Sequence, residues 1–181
     1  MSDKAAILWM TGFSGAGKTT LAKRLEKALV EKGKKVEVLD GDDLRQKLSP
    51  DLGFSEKERE AHNKRTIYLA KLLNRHGVNV IVSLISPMRR VREEAKAELG
   101  QDFAEVHVKC PLEVCMSRDP KGLYKKVKDG EIKDFTGVSQ MYEPPENPDL
   151  ILDTDSHSEE ACQLQVFEFL KKKYGTNFLE D

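Results

Sequence analysis

The sequence predicts an α/β domain, a three-layer sandwich with a central five-stranded parallel sheet and a mobile lid. Short runs rich in Val, Ile and Leu alternate with longer segments of helical period. A glycine-rich segment follows the first apolar run directly and opens a helix. One long stretch, Arg118 to Pro148, holds four of the seven prolines and follows no apolar period.

The strands are expected at Ala5 to Met10, Val36 to Asp40, Val78 to Ser83, Ala104 to Cys110 and Leu150 to Asp153. Between the first two, Leu21, Leu25, Ala28 and Leu29 recur at helical spacing and Gly33 follows, which predicts a helix over Lys18 to Lys32. After Phe54, Ser55 with Glu58 three residues on forms a capping box, and Ile67, Ala70 and Leu73 carry that helix to Gly77. Arg92 to Leu99 and Glu159 to Lys173 complete the covering layers. Unstructured connections as long as 118–148 are uncommon unless they bind something, so this stretch, basic at Lys121 to Lys128, reads as a lid.

At 181 residues the chain fits one domain, 1–181, with a single sizeable core. Thirty Lys and Arg against 31 Asp and Glu give a net charge of -1, which argues against nucleic acid as a partner. The longest apolar stretches are far shorter than a membrane span, and the N-terminus lacks the long apolar centre of a signal peptide, so the expected setting is cytoplasmic, away from membranes. Cys110, Cys115 and Cys162 form no metal-ligand pattern and are expected to be reduced, packed thiols.

Gly12-Phe13-Ser14-Gly15-Ala16-Gly17-Lys18-Thr19 is a full G-x-x-x-x-G-K-[ST] phosphate loop between strand and helix. Its glycines let successive N–H groups turn inward around a phosphate, and the helix N-terminus adds the positive end of its dipole. Lys18 is expected to reach the β and γ phosphates of ATP, Thr19 to hold Mg²⁺, and Thr20 to complete the ATP site. A phosphate loop alone serves kinases, motors, switches and transporters alike, so the expected P-loop nucleoside/nucleotide-kinase-like fold depends on what the rest of the chain adds. The third strand ends Val82-Ser83-Leu84-Ile85-Ser86-Pro87, without the acidic pair with which motor ATPases hold metal and activate water, so hydrolysis is disfavoured as the main task. Acidic groups stand instead after the second strand, in Asp40-Gly41-Asp42, where ligands of parallel sheets bind, and Asp42 suits a base for an acceptor hydroxyl.

The segment LDGDDLRQKLSPDLGFSEKEREAHNKR, followed by SLISPMRRVRE, PLEVCMSRDPKGLYKKVKDGEIKDFTG and YEPPENPDLILDT, resembles the adenylylsulfate (APS) kinases, in order, from about Ile7 to Thr154. That resemblance implies transfer of the γ-phosphoryl of ATP to the 3'-hydroxyl of adenylylsulfate, in a homodimer. It further implies that Arg45 and Arg59 meet the anion, that Phe54 and Phe135 sandwich the adenine, and that Ile85, Thr136 and Lys121 belong to the substrate site. Ser86 matches a serine that the family pattern marks as a phosphoserine intermediate, yet in-line transfer requires no covalent step and no base stands near it in sequence.

Two positions depart from the pattern. Asp43 stands where the family has Asn, and His62 stands where the family has an Asn that contacts adenylylsulfate. His62 is expected to offer a comparable hydrogen bond and, charged near neutral pH, to favour an anion. Asn63 is turned by about 100° on a helix and is not expected to replace it. The competing readings are a related kinase with another nucleotide-derivative acceptor, and a non-catalytic nucleotide-binding module.

Overall fold

A computed structural model describes residues 5–180; residues 1–4 and 181, which the expected 1–181 domain includes, lie outside the described residues. Five strands, β1 (Ile7–Thr11), β2 (Val36–Asp40), β3 (Asn79–Ser83), β4 (Phe103–Lys109) and β5 (Leu150–Asp153), form one sheet in the order β2-β3-β1-β4-β5. Every pairing is parallel, with Trp9 opposite Val82 on one side and Glu105 on the other. The α/β expectation holds, and each expected strand lies within one or two residues of its observed place.

Helices α1 (Lys18–Val30) and α7 (Glu159–Tyr174) pack together on one face. On the other face α3 (Glu56–Asn74) packs against α4 (Arg89–Leu99). Alternation along β1 divides the core accordingly. Leu8 and Met10 join Leu21, Leu25, Val166 and Leu170, whereas Ile7 and Trp9 join Ile67, Ala70, Ala95 and Phe103. The Ser55–Glu58 capping box is present in full at the start of α3.

Three short helices differ from the expectation. Helix α2 (Gly41–Lys47) follows β2 at once, with the Asp40 carboxylate accepting from the Asp42 amide at its start. Helix α5 (Leu112–Arg118) follows β4, and the expected lid contains α6 (Leu123–Lys128). Asp119 explains α6: its carboxylate accepts from the amides of Tyr124 and Lys125, a cap that a search for apolar period does not register. Helix α4 begins three residues before the expected Arg92, on polar arginines that carry no period. All three cysteines are buried free thiols.

Arg92 is 2% exposed, and its guanidinium is fully engaged. Nε donates to Glu105 of β4 at 2.7 Å, Nη1 to the Ser86 carbonyl at 2.6 Å, and Nη2 to the Glu143 carbonyl at 2.6 Å. Removing one member of such a buried pair leaves the others desolvated without partners. Arg92→Ala is therefore expected to lower stability by about 3–5 kcal/mol in urea unfolding; a loss below about 1 kcal/mol would mean that water replaces the guanidinium without cost.

Candidate active site

The carboxyl ends of β1, β2 and β3 open into a cavity of about 860 Å³, walled by the phosphate loop, α2, α3, the β3–α4 segment, the lid and the start of α7. This is where ligands of open parallel sheets bind, since the connections leaving β1 and β4 run to opposite sides.

At one end stands the phosphate loop. Gly12 and Gly15 have φ of 154° and 81°, and a side chain at either would run into the carbonyl oxygen of Val108 or Cys115, so close approach as well as backbone freedom demands glycine there. Ser14, Gly15, Gly17, Lys18, Thr19 and Thr20 line the cavity. Gly12, Phe13 and Ala16 support the loop from behind: Phe13 packs on Tyr142 with ring centroids 4.8 Å apart, and the Ala16 carbonyl accepts from Thr154. The buried Lys18 ammonium donates to the carbonyls of Gly12 and Phe13 at 2.8 and 2.7 Å. Burial pushes its pKa down to about 8. Thr19 Oγ1 donates to Asp40 Oδ2 at 2.8 Å and lies 3.4 Å from Ser83 Oγ, an all-oxygen set of the kind hard divalent cations take.

At the other end, Phe54 is half exposed and carries two guanidiniums, Arg45 at 4.8 Å and Arg59 at 5.4 Å from the ring centroid. Arg45 donates to the Gly53 carbonyl, and Arg59, 8% exposed, donates to the carbonyls of Phe54 and of Asp134 in the lid. Burial, with Arg45 nearby, pushes the Arg59 pKa down to about 10. Asp42, at the first turn of α2, stands between the two ends, and Lys121 of the lid forms an ion pair with it. Phe135 lines the cavity, edge-on to Tyr124, whose hydroxyl donates to the Ser14 carbonyl. Thr136 is buried, its hydroxyl has no partner among the described residues, and it does not line the cavity; Ile85 does.

Ser86 is 2% exposed, with φ of 44°. Its hydroxyl donates to Asn63 Oδ1 at 2.9 Å and accepts from Trp9 Nε1 at 3.3 Å, while Asn63 Nδ2 donates to the Arg59 carbonyl. The hydroxyl proton is thus committed to an amide, and no imidazole or carboxylate accepts it.

Two expectations about α3 change. His62 is 3% exposed, and burial together with Arg45, Arg65 and Arg59 drives its pKa down to about 4, so the ring is neutral at neutral pH and cannot attract an anion by charge. Asn63 also faces the cavity, because α3 buries a stripe that is polar at Arg59, His62, Asn63 and Thr66 and apolar at Ile67 and Ala70. Extending that stripe backwards by three and four residues is the signal that would have found Asn63. Asp43 points away, paired with Lys47 on the outer face of α2. Sequence reasoning noted Asp40 beside Asp42 but gave it no role of its own, and it passed over Arg118, Asp134 and His157, all in the cavity wall.

The family model for adenylylsulphate kinase matches residues 4–153. An adenylyl-sulfate kinase from Halothermothrix orenii is 47% identical over 180 residues, covering 99% of this chain and 97% of that protein. A probable adenylyl-sulfate kinase from Pyrococcus abyssi is 58% identical over 147 residues, 81% of this chain and 84% of that one. Among solved structures, the Mycobacterium tuberculosis APS kinase in complex with AMPPNP and APS superposes with a TM-score of 0.88 at 42% identity, over 93% of this chain and 98% of that one. The match spans the phosphate loop, the acceptor end and the lid, and the chain belongs to the adenylylsulphate kinase family.

Proposed function

We infer that the chain transfers the γ-phosphoryl group of ATP to the 3'-hydroxyl of adenylylsulfate, giving 3'-phosphoadenylylsulfate and ADP. The observation that carries this reading is the single cavity in which Lys18 and Thr19 face Arg45, Phe54 and Arg59 across Asp42. One end suits a triphosphate, the other a flat base with an anionic tail, and a carboxylate lies between them.

In this reading the loop amides and Lys18 hold the β and γ phosphates, and Lys18 exchanges its two carbonyl partners for phosphate oxygens. Phe54 and Phe135 take the adenine of the acceptor between them, and Arg45 and Arg59 meet its phosphosulfate. Lys121 leaves Asp42 for the phosphates, which frees the carboxylate to orient the 3'-hydroxyl and take its proton. Thr19, with Asp40 and Ser83 beside it, would hold Mg²⁺, which when bound neutralises charge on the phosphates. No helix among the described residues is long and apolar enough to cross a membrane. A homodimer, expected from the resemblance, and a cytoplasmic setting, expected from the short apolar stretches, belong to the same proposal.

ADP release from Mg-ATP, measured with adenylylsulfate, AMP, a cytidine diphosphate derivative and water, tests the function. Strong preference for adenylylsulfate is expected, and preference for another acceptor would overturn the substrate. Asp42→Asn should lower kcat by roughly 10²–10⁴-fold, with the KM for ATP changed much less; near-normal turnover would remove Asp42 as the base. Ser86→Ala should retain kcat within about tenfold, since it forfeits hydrogen bonds and not a nucleophile. A drop of three orders of magnitude with a phosphoenzyme trapped in the parent protein would reinstate the covalent route.

The lowered pKa of Lys18 carries a sign. Below about pH 8 the ammonium is present and binds phosphate; above it the free protein loses that charge. The KM for ATP should be flat from mildly acid to neutral pH and rise above about 8, approaching tenfold per unit, while a KM that stays flat to high pH would show the charge to be retained.

A further inference from the structure

His62 presents two ring nitrogens in different circumstances. Nδ1 lies 3.0 Å from the Ser49 hydroxyl, whereas Nε2 is buried, has no partner among the described residues, and belongs to a side chain that lines the acceptor end of the cavity. Ser49 follows α2 and is 0% exposed, and among the described residues its hydroxyl meets no other polar partner than this imidazole. Its place is held by a backbone bond to the Leu44 carbonyl and by Arg65, which grips Leu48 and Asp51 on either side.

Only one proton arrangement satisfies both the Ser49 hydroxyl and Nδ1. If Nδ1 carried the proton and donated to Ser49, the serine's own hydrogen would point into the core with nothing to accept it, a costly state for a buried donor. If Ser49 donates to Nδ1, the hydroxyl and Nδ1 are both satisfied and only the Nε2–H lacks a partner in the free protein, whereas the other tautomer leaves two groups without one, the serine hydrogen and the Nε2 lone pair. A doubly protonated ring is opposed by the guanidiniums that face it, Arg45 from α2 and Arg59 and Arg65 from α3.

We propose that Ser49 is a positioning residue for acceptor recognition: its hydroxyl donates to Nδ1 of His62 and fixes the neutral tautomer whose Nε2–H is offered to a lone pair of the bound acceptor nucleotide. The proposal rests on the functional reading above. It explains how a histidine among arginines serves an anionic ligand, since a neutral donor adds a directed hydrogen bond without a further buried charge. It also explains the unpartnered nitrogen, which the acceptor nucleotide satisfies.

Nitrogen NMR of the full chain labelled at histidine reads the tautomer without substrate, with the His62 signals assigned by their loss in His62→Asn. The expected pattern is a pyrrole-type Nε2 and a pyridine-type Nδ1, with the Nε2–H signal shifting on addition of adenylylsulfate and not of an ATP analogue. Ser49→Ala should mix the tautomers and raise the KM for adenylylsulfate by about fivefold, with kcat and the KM for ATP within about twofold. In a His62→Asn background, where the side-chain amide donates whatever its neighbour does, Ser49→Ala should change that KM by less than about twofold. A proton on Nδ1 in the parent protein, or an equal effect of Ser49→Ala in both backgrounds, overturns the proposal. A parent protein that does not turn over adenylylsulfate refutes the functional reading instead, while the nitrogen pattern still decides the tautomer.

Discussion

The Arg92 guanidinium, sealed between α4, β4 and the segment returning from the lid, donates to Glu105, Ser86 and Glu143, and the acceptor half of the site follows from where those three groups are held. With its carbonyl fixed, Ser86 aims its hydroxyl at Asn63 on α3. Asn63 in turn bonds the carbonyl of Arg59, which reaches both Phe54 and the lid at Asp134. A buried cation thus begins a line of hydrogen bonds that runs from the sheet to the lid, and each link is satisfied at the cost of desolvating the next.

The donor half is held by packing and backbone geometry. The phosphate loop lies so close to β4 and α5 that Gly12 and Gly15 cannot carry side chains, and Phe13 and Ala16 brace it from behind. The two halves meet because β1 lies between β3 and β4 while β2 lies beyond β3. That order brings Asp40, at the end of β2, within 2.8 Å of Thr19 at the start of α1, although a strand separates β2 from β1. Asp42 follows Asp40 by two residues, so the same crossing sets the carboxylate between loop and acceptor end.

What was legible in the sequence was what local chemistry determines. The phosphate loop, the strands, the α3 capping box and the apolar stripe of α1 all announce themselves within a few residues. Arg45, Phe54, Arg59 and Phe135 were legible through resemblance, and all four line the cavity. The remainder depends on partners distant in sequence. Helix α6 is defined by an aspartate cap and by Tyr124 reaching Ser14, 110 residues away. The charge of His62 was misjudged because the burial of its ring, and the approach of Arg45 from α2, arise only once the chain has folded. Ser49 carried no sequence signal, since a serine beside Pro50 resembles any turn residue until the ring opposite it is known.

The positive φ of Ser86 bears on how the acceptor end keeps its shape. A non-glycine residue in that region is disfavoured by about 1–3 kcal/mol, and its restraints come from Thr11, Trp9, Asn63 and Arg92, of which only Arg92 is near in the chain. β1, α3 and α4 must all be in place to hold the turn at that angle, because its restraints come from each of them. The acceptor end therefore keeps its shape only while all three elements stay docked, so a loss of tertiary packing anywhere along them is felt at the Ser86 turn.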